Sequence, residues 1–136
     1  TADAAPQTSR RTGTVSGRER FMFAAYIAVT LLAVAANTFS AGVDFVRYPP
    51  VAANMDRVGV PRSWMTPLGV LKAAAAVGLL VGIVVPPIGI AAAAGLVLFF
   101  IGAIVTHVRG RWYAIGLPLA FLALAVAALA LRVITA

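Results

Sequence analysis

Residues 68–108 read LGVLKAAAAVGLLVGIVV-PP-IGIAAAAGLVLFFIGAIVTHV, two apolar runs at 68–85 and 88–108 joined by Pro86-Pro87. Each run is long enough to cross a hydrocarbon core of about 30 Å as a helix. A diproline breaks a helix and leaves room for no more than a tight turn. The stretch therefore predicts a transmembrane hairpin. Outward from it, residues 21–43 and 112–131 are apolar runs of the same kind. Within lipid the backbone must satisfy its own hydrogen bonds, so all four runs read as helices rather than strands. The alanines at 73–76 and 91–94 are small residues that let such helices approach closely.

Composition agrees. The 136 residues are 62% hydrophobic and 11% charged, with a mean hydropathy of +0.98. Soluble domains average about 45–50% apolar and about 25% charged residues. A chain this short keeps much of its surface exposed and cannot hide that excess, which excludes a soluble globular enzyme. The length allows one domain. The absence of cysteine excludes disulfides, thiolate chemistry and iron–sulfur ligation. The single histidine, His107, excludes bis-histidine haem ligation within the chain. Four acids, Asp3, Glu19, Asp44 and Asp56, are too few for a carboxylate-bridged metal cluster. The net charge is +7 and the pI about 11.4. The basic residues lie in a tail and in short loops between apolar runs, as in membrane proteins. Membrane lipids are therefore the expected partners, with no nucleic acid and no metal.

The expected architecture is an all-α integral membrane four-helix bundle over residues 21–132, preceded by a flexible basic tail at 1–20. Arg10-Arg11 does not mark an export signal, because the run that follows is too long and three more come after it. Between the first two spans, residues 44–67 form a polar loop. In it Val51, Met55 and Val58 fit a short amphipathic helix on the membrane surface, placed to lid a pocket. Four spans put both termini and Pro86-Pro87 on one side, with the long loop and the turn 109–111 on the other. Basic residues divide almost evenly between the sides. The arginines before the first span lean the assignment toward cytoplasmic termini.

The polar residues gather at the loop-side mouth, and the terminal half of the membrane holds almost no ionisable group. Lys72 sits about one turn into the second span. A lysine costs about 2.5–3.5 kcal/mol at a helix centre and less near an end, where it snorkels. Two roles are open to it: a structural one, snorkelling or paired with Asp44, and a binding one, holding an anionic headgroup, a quinone oxygen or a partner carboxylate. The candidate ligand or partner pocket comprises Asp44, Arg47, Lys72, His107 and Arg109. His107 is either a proton carrier or an interface residue. Tyr48, Trp64, Trp112 and Tyr113 are expected as membrane-interface anchors. Asn37, Thr38 and Ser40 are expected to make interhelical hydrogen bonds. No nucleophile–base–acid set can be drawn, so no catalytic residue is assigned.

Residues 37–45 (NTFSAGVDF), 54–61 (NMDRVGVP), 67–73 (PLGVLKA) and 105–109 (VTHVR) together resemble the DoxX-like family, over about residues 21–132. The Gly69–x–x–Lys72 head of the second span and His107 at the end of the third are the less generic parts. The resemblance implies a small four-helix protein of the bacterial plasma membrane. It also implies association with quinone-linked oxidoreductases or membrane redox assemblies, with Lys72 and His107 at recurrent polar positions. The second to fourth spans carry no acid, which argues against independent electron transfer. The expected function is a non-enzymatic accessory subunit docked on other integral membrane subunits of a larger respiratory or lipid-transport complex. The alternatives are a membrane subunit of a quinone-linked oxidoreductase and a lipid or hydrophobic-molecule binding module. Quinone is the one cofactor left open.

Overall fold

The computed structural model describes residues 16–111 and 115–136. Residues 1–15 of the tail, and the anchors Trp112 and Tyr113, lie outside the described residues. Helix α1 spans Gly17–Phe45. The Ser16 hydroxyl accepts the Glu19 backbone N–H at 3.2 Å, and Glu19 lies in the first turn, where its charge suits the helix dipole. The helix thus starts four residues before Phe21, and residues 17–20 of the expected tail are helical.

Helix α2 spans Pro49–Arg57 and buries Ala52 and Met55. These two pack with Met65, with Val51 at the edge of the cluster. The amphipathic helix therefore exists, but its buried face is centred on Ala52 and Met55, and it rests on the head of α3. A 3₁₀ turn at Arg62–Trp64 leads into α3, Met65–Val81. Helix α4 spans Pro86–Arg109, with the diproline in its first turn. The tight connection is residues 82–85 instead. This corrects the expectation that the prolines form the turn: the first N–H groups of a helix have no intrahelical partner, so proline opens a helix at no hydrogen-bonding cost. Helix α5 spans Gly116–Thr135, displaced four residues toward the C-terminus from the expected 112–131.

Among the described residues there is no strand. Helices α1 and α4 each pack on both α3 and α5, which closes a four-helix ring of antiparallel neighbours. Its centre is small: Ala33, Ala93, Ala125 and Ala128 are buried, with Leu79 and Phe100 filling between them. Phe100 stacks on Phe121 at 5.2 Å and meets Phe99 edge-on at 5.0 Å. Leu32, Val77, Leu98 and Leu117 point outward and are largely exposed. All four long helices are long and apolar enough to cross a membrane. Large apolar side chains outside and small ones inside suit a lipid solvent, in which helix association depends on close packing rather than on expelling water. The chain is a multi-pass membrane protein.

The α3–α4 hairpin closes backbone against backbone. A Cβ on Gly82 would collide with the Gly89 backbone, and one on Gly89 would lie 2.9 Å from the Gly82 Cα. At Gly102 a Cβ would meet nothing within 4 Å. Gly82→Ala is expected to destabilise the fold by about 1–3 kcal/mol. Gly102→Ala should leave stability unchanged or raise it by up to about 1 kcal/mol. Unfolding in a denaturing-detergent titration checks both.

Candidate functional site

The buried residues of α1 are Tyr26, Thr30, Ala33, Asn37, Ala41 and Asp44. Their spacing of three and four places them on one face. That face carries most of the polar side chains of the bundle interior, because a polar group turned toward lipid would have no partner.

At the loop-side end of this face, Lys72 of α3 donates to Asp44 Oδ2 at 2.8 Å and to Ser40 Oγ at 2.9 Å. Ser40 and Asp44 are one turn apart on α1, so one ammonium spans both. The side chains of Lys72 and Asp44 are 12% and 5% exposed. Lys72 lies seven residues into α3, about 10 Å along it, and not one turn in as the sequence suggested. Gly69, one turn before it, explains how the two helices come close enough. A Cβ there would press on the Phe45 ring at 3.0 Å, the Ala41 carbonyl at 3.2 Å and Asp44 Cβ at 3.2 Å. The Gly–x–x–Lys spacing thus has a mechanical reason: the glycine admits α1, and the lysine one turn on meets its carboxylate.

An open groove of about 570 Å³ runs between α3 and α4. Its walls are Ala74, Ala75, Ala91, Ala92 and Gly95, and Lys72 and Phe99 also line it. The Lys72 ammonium sits 5.5 Å from the centre of the Phe99 ring, within reach of its π-face. An ammonium carries three donors. Ser40 and Asp44 take two of them, and the Phe99 ring lies beside the ammonium. The furrow is open on its outer side, and its wall is apolar apart from Lys72.

Of the five pocket residues named from the sequence, the structure joins Asp44 and Lys72. His107 is half-buried, and its Nδ1 lies 2.7 Å from the Ala103 carbonyl of its own helix. Arg109 lines a separate recess of about 270 Å³ with Thr106, Gly110 and residues 58–60. Arg47 is exposed, with φ 50° just past the end of α1. None of His107, Arg109, Arg47 or the residues of α2 lines the groove, so α2 does not lid it. Tyr48 and Trp64 are exposed on the loop side. Of the three expected interhelical polar residues, Ser40 alone bridges to another helix. Asn37 Nδ2 donates to the Ala33 carbonyl of its own helix, and Thr38 is exposed.

The α2–α3 connection is held by Arg62, which donates from Nε and Nη2 to the Asp56 carboxylate, with a shortest contact of 2.7 Å. These hydrogen bonds hold the Asp56 carboxyl below its ordinary value of 3.8. The terminal half also departs from expectation. Arg132, one residue beyond the expected fourth span, is buried against Tyr26. A tyrosine and an arginine at opposite ends of the sequence carried no local signal of meeting.

Residues 28–128 match the family model described as the DoxX-like family. No curated protein and no solved structure matches the chain. The match covers well over half of the chain, and the chain belongs to the DoxX-like family. The matched stretch contains Ser40, Asp44, Gly69, Lys72 and the groove.

Two outcomes follow from this geometry. Asp44→Ala leaves the Lys72 cation buried without a counter-charge and should destabilise the bundle by about 3–5 kcal/mol. Asp44→Asn with Lys72→Met removes both charges and should recover most of that loss, as read by thermal unfolding in detergent. The Asp56 carboxyl, having a lowered folded pKa, stabilises the connection above 3.8, and that contribution is lost as pH falls through its folded value. Carboxyl NMR should show Asp56 titrating below 3.8, and Arg62→Gln should return it toward that value.

Proposed function

We propose that this member of the DoxX-like family is a non-catalytic membrane module that holds a hydrophobic molecule of the lipid or quinone class. The apolar body lies in the α3–α4 groove, and a carbonyl or headgroup oxygen accepts the free Lys72 donor. The observation that carries this reading is the placement of Lys72 on the groove, fixed by Asp44 and Ser40 with one donor unspent. A pre-oriented cation at one end of an apolar channel recognises an amphipathic molecule by its polar end. Asp44 and Ser40 act as positioning residues, and His107 and Arg109 sit outside the contact. The family likeness and the arginines before the first span support a bacterial plasma membrane with cytoplasmic termini.

A second reading is favoured by the groove walls. Ala74, Ala75, Ala91, Ala92 and Gly95 are small enough to admit a neighbouring helix, which would make the chain an accessory subunit docked on other integral membrane subunits.

Gly95 provides the test, because a Cβ there meets nothing within 4 Å. Gly95→Leu places a large side chain at a groove position where the Cβ is unobstructed. The full chain, purified in mild detergent and probed with decylubiquinone and with phosphatidylethanolamine by native mass spectrometry, should retain one of them. Gly95→Leu should reduce retention about tenfold or more at unchanged thermal stability. Equal retention by the variant overturns the groove as the binding site. A membrane protein recovered in fixed proportion with the wild type and released by Gly95→Leu selects the second reading.

A further inference from the structure

Helices α1, α2 and α4 end alike. The residue after the cap turns left-handed, and carbonyls of the last turn take up the N–H groups that follow. After α2 that residue is Gly59, with φ 76°. Its N–H donates to the Asp56 carbonyl, and that of Val60 donates to the Met55 carbonyl. After α1 the same place holds Arg47, with φ 50°. Its N–H donates to the Asp44 carbonyl, and that of Tyr48 donates to the Val43 carbonyl. After α4 it holds Arg111, with φ 54°, whose N–H donates to the Val108 carbonyl. Glycine adopts this conformation freely, and a residue with a Cβ adopts it under strain. The chain thus places glycine after the short α2 and arginine at the loop-side ends of two spanning helices. The backbone gains nothing from arginine there, so it is the guanidinium that the position serves.

Arg109 belongs to the same layer. Helix α4 has 24 residues and is about 36 Å long, against a hydrocarbon core of about 30 Å, so its last turn stands among headgroups. Ile101, Val105 and Val108 are exposed along its outer side, and Arg109, also exposed, lies one turn beyond Val105. Arg109, Thr106 and Gly110 face residues 58–60 across the recess of about 270 Å³, which is open outward. A Cβ on Gly110 would lie 2.9 Å from the Val58 Cα, so this glycine is what lets the α2–α3 connection reach the end of α4 and wall the recess. The acids of the loop-side half are Asp44 and Asp56, and both are engaged, with Lys72 and Arg62. The other acids, Asp3 and Glu19, precede the first apolar run. The chain has no further carboxylate at this end for Arg47, Arg109 and Arg111.

We propose that the loop-side end of the bundle is a docking surface for an anionic phospholipid, with the phosphate in the recess against Arg109 and the acyl chains along the outer face of α4. The recess opens outward and Arg109 is exposed, so a headgroup reaches it with no change in packing. Guanidinium is the side chain best matched to phosphate. Arg47 and Arg111, at the ends of their helices in the same layer, add the positive potential that favours an anionic headgroup over a zwitterionic one. This surface is separate from the α3–α4 groove, with which the recess shares no lining residue, and it does not depend on what the groove holds.

The test uses the full chain in neutral detergent, with retained lipid counted by native mass spectrometry. Phosphatidylglycerol and phosphatidylcholine of the same acyl chains are offered separately. The wild type should retain phosphatidylglycerol about fivefold better or more. Arg109→Gln should lose most of that preference. Arg18→Gln, which removes an equal charge at the terminal end, should keep it. An undiminished preference in Arg109→Gln overturns the proposal, and so does an equal loss in both variants, which would reduce the preference to net charge. A preference lost in Gly95→Leu and kept in Arg109→Gln places the anionic lipid in the groove and also overturns it. Release of phosphatidylglycerol by a matching amount of inorganic phosphate assigns the recess to a free anion and overturns the lipid.

Discussion

The ammonium of Lys72 and the carboxylate of Asp44 meet 2.8 Å apart inside a bundle whose outer surface faces hydrocarbon. Neither group is tolerable alone at that depth, and each is tolerable because the other is there. Much of the local structure serves this contact. Gly69 lets α1 and α3 approach, Ser40 accepts a second hydrogen bond from the ammonium, and Phe99 of α4 lies beside it. The pair fixes the register of α1 against α3 at the loop-side end. At the other end of α3, Gly82 and Gly89 fix its register against α4. The groove between α3 and α4 lies between these two constraints.

The bundle carries one charged arrangement at each end, and they differ in kind. Lys72 is balanced within the chain by Asp44, with Ser40 as a second acceptor. Arg132 has no ionic partner among the described residues and packs on the Tyr26 ring. Between them lie a core of alanine, leucine and phenylalanine and the buried Thr30 and Asn37 of α1. The chain thus pairs its buried lysine with a carboxylate at the loop-side end and packs its buried arginine on an aromatic ring at the terminal end.

The architecture was legible in the sequence because lipid permits so few alternatives. Long apolar runs split by Pro86-Pro87 and by polar loops could form only helices. The errors lie at the ends, where composition and capping disagree. Arg18, Glu19 and Arg20 look like tail by polarity, yet Ser16–x–x–Glu19 is a helix start. The diproline looks like a break, yet it is the first turn of α4. The pairing of Lys72 with Asp44 was readable from topology, since both fell at one membrane level. The groove was not readable, because it depends on which faces of α3 and α4 turn outward, and runs of alanine give no periodic signal. Tyr26 with Arg132 was hidden for a related reason: a charge near the end of a span looks like a headgroup anchor until the packing shows it enclosed.

Lys72 is the one lysine of the chain, so labelling with ¹⁵Nζ-lysine gives a single side-chain ammonium resonance. Recorded in nanodiscs, that resonance reports directly whether the free donor meets a ligand. The account predicts dipolar contact with the Asp44 carboxyl in the free protein, kept on binding, and a displaced resonance when decylubiquinone or phosphatidylethanolamine saturates the groove. A resonance that shows no contact with Asp44, or stays in place under saturating amounts of both, would contradict it.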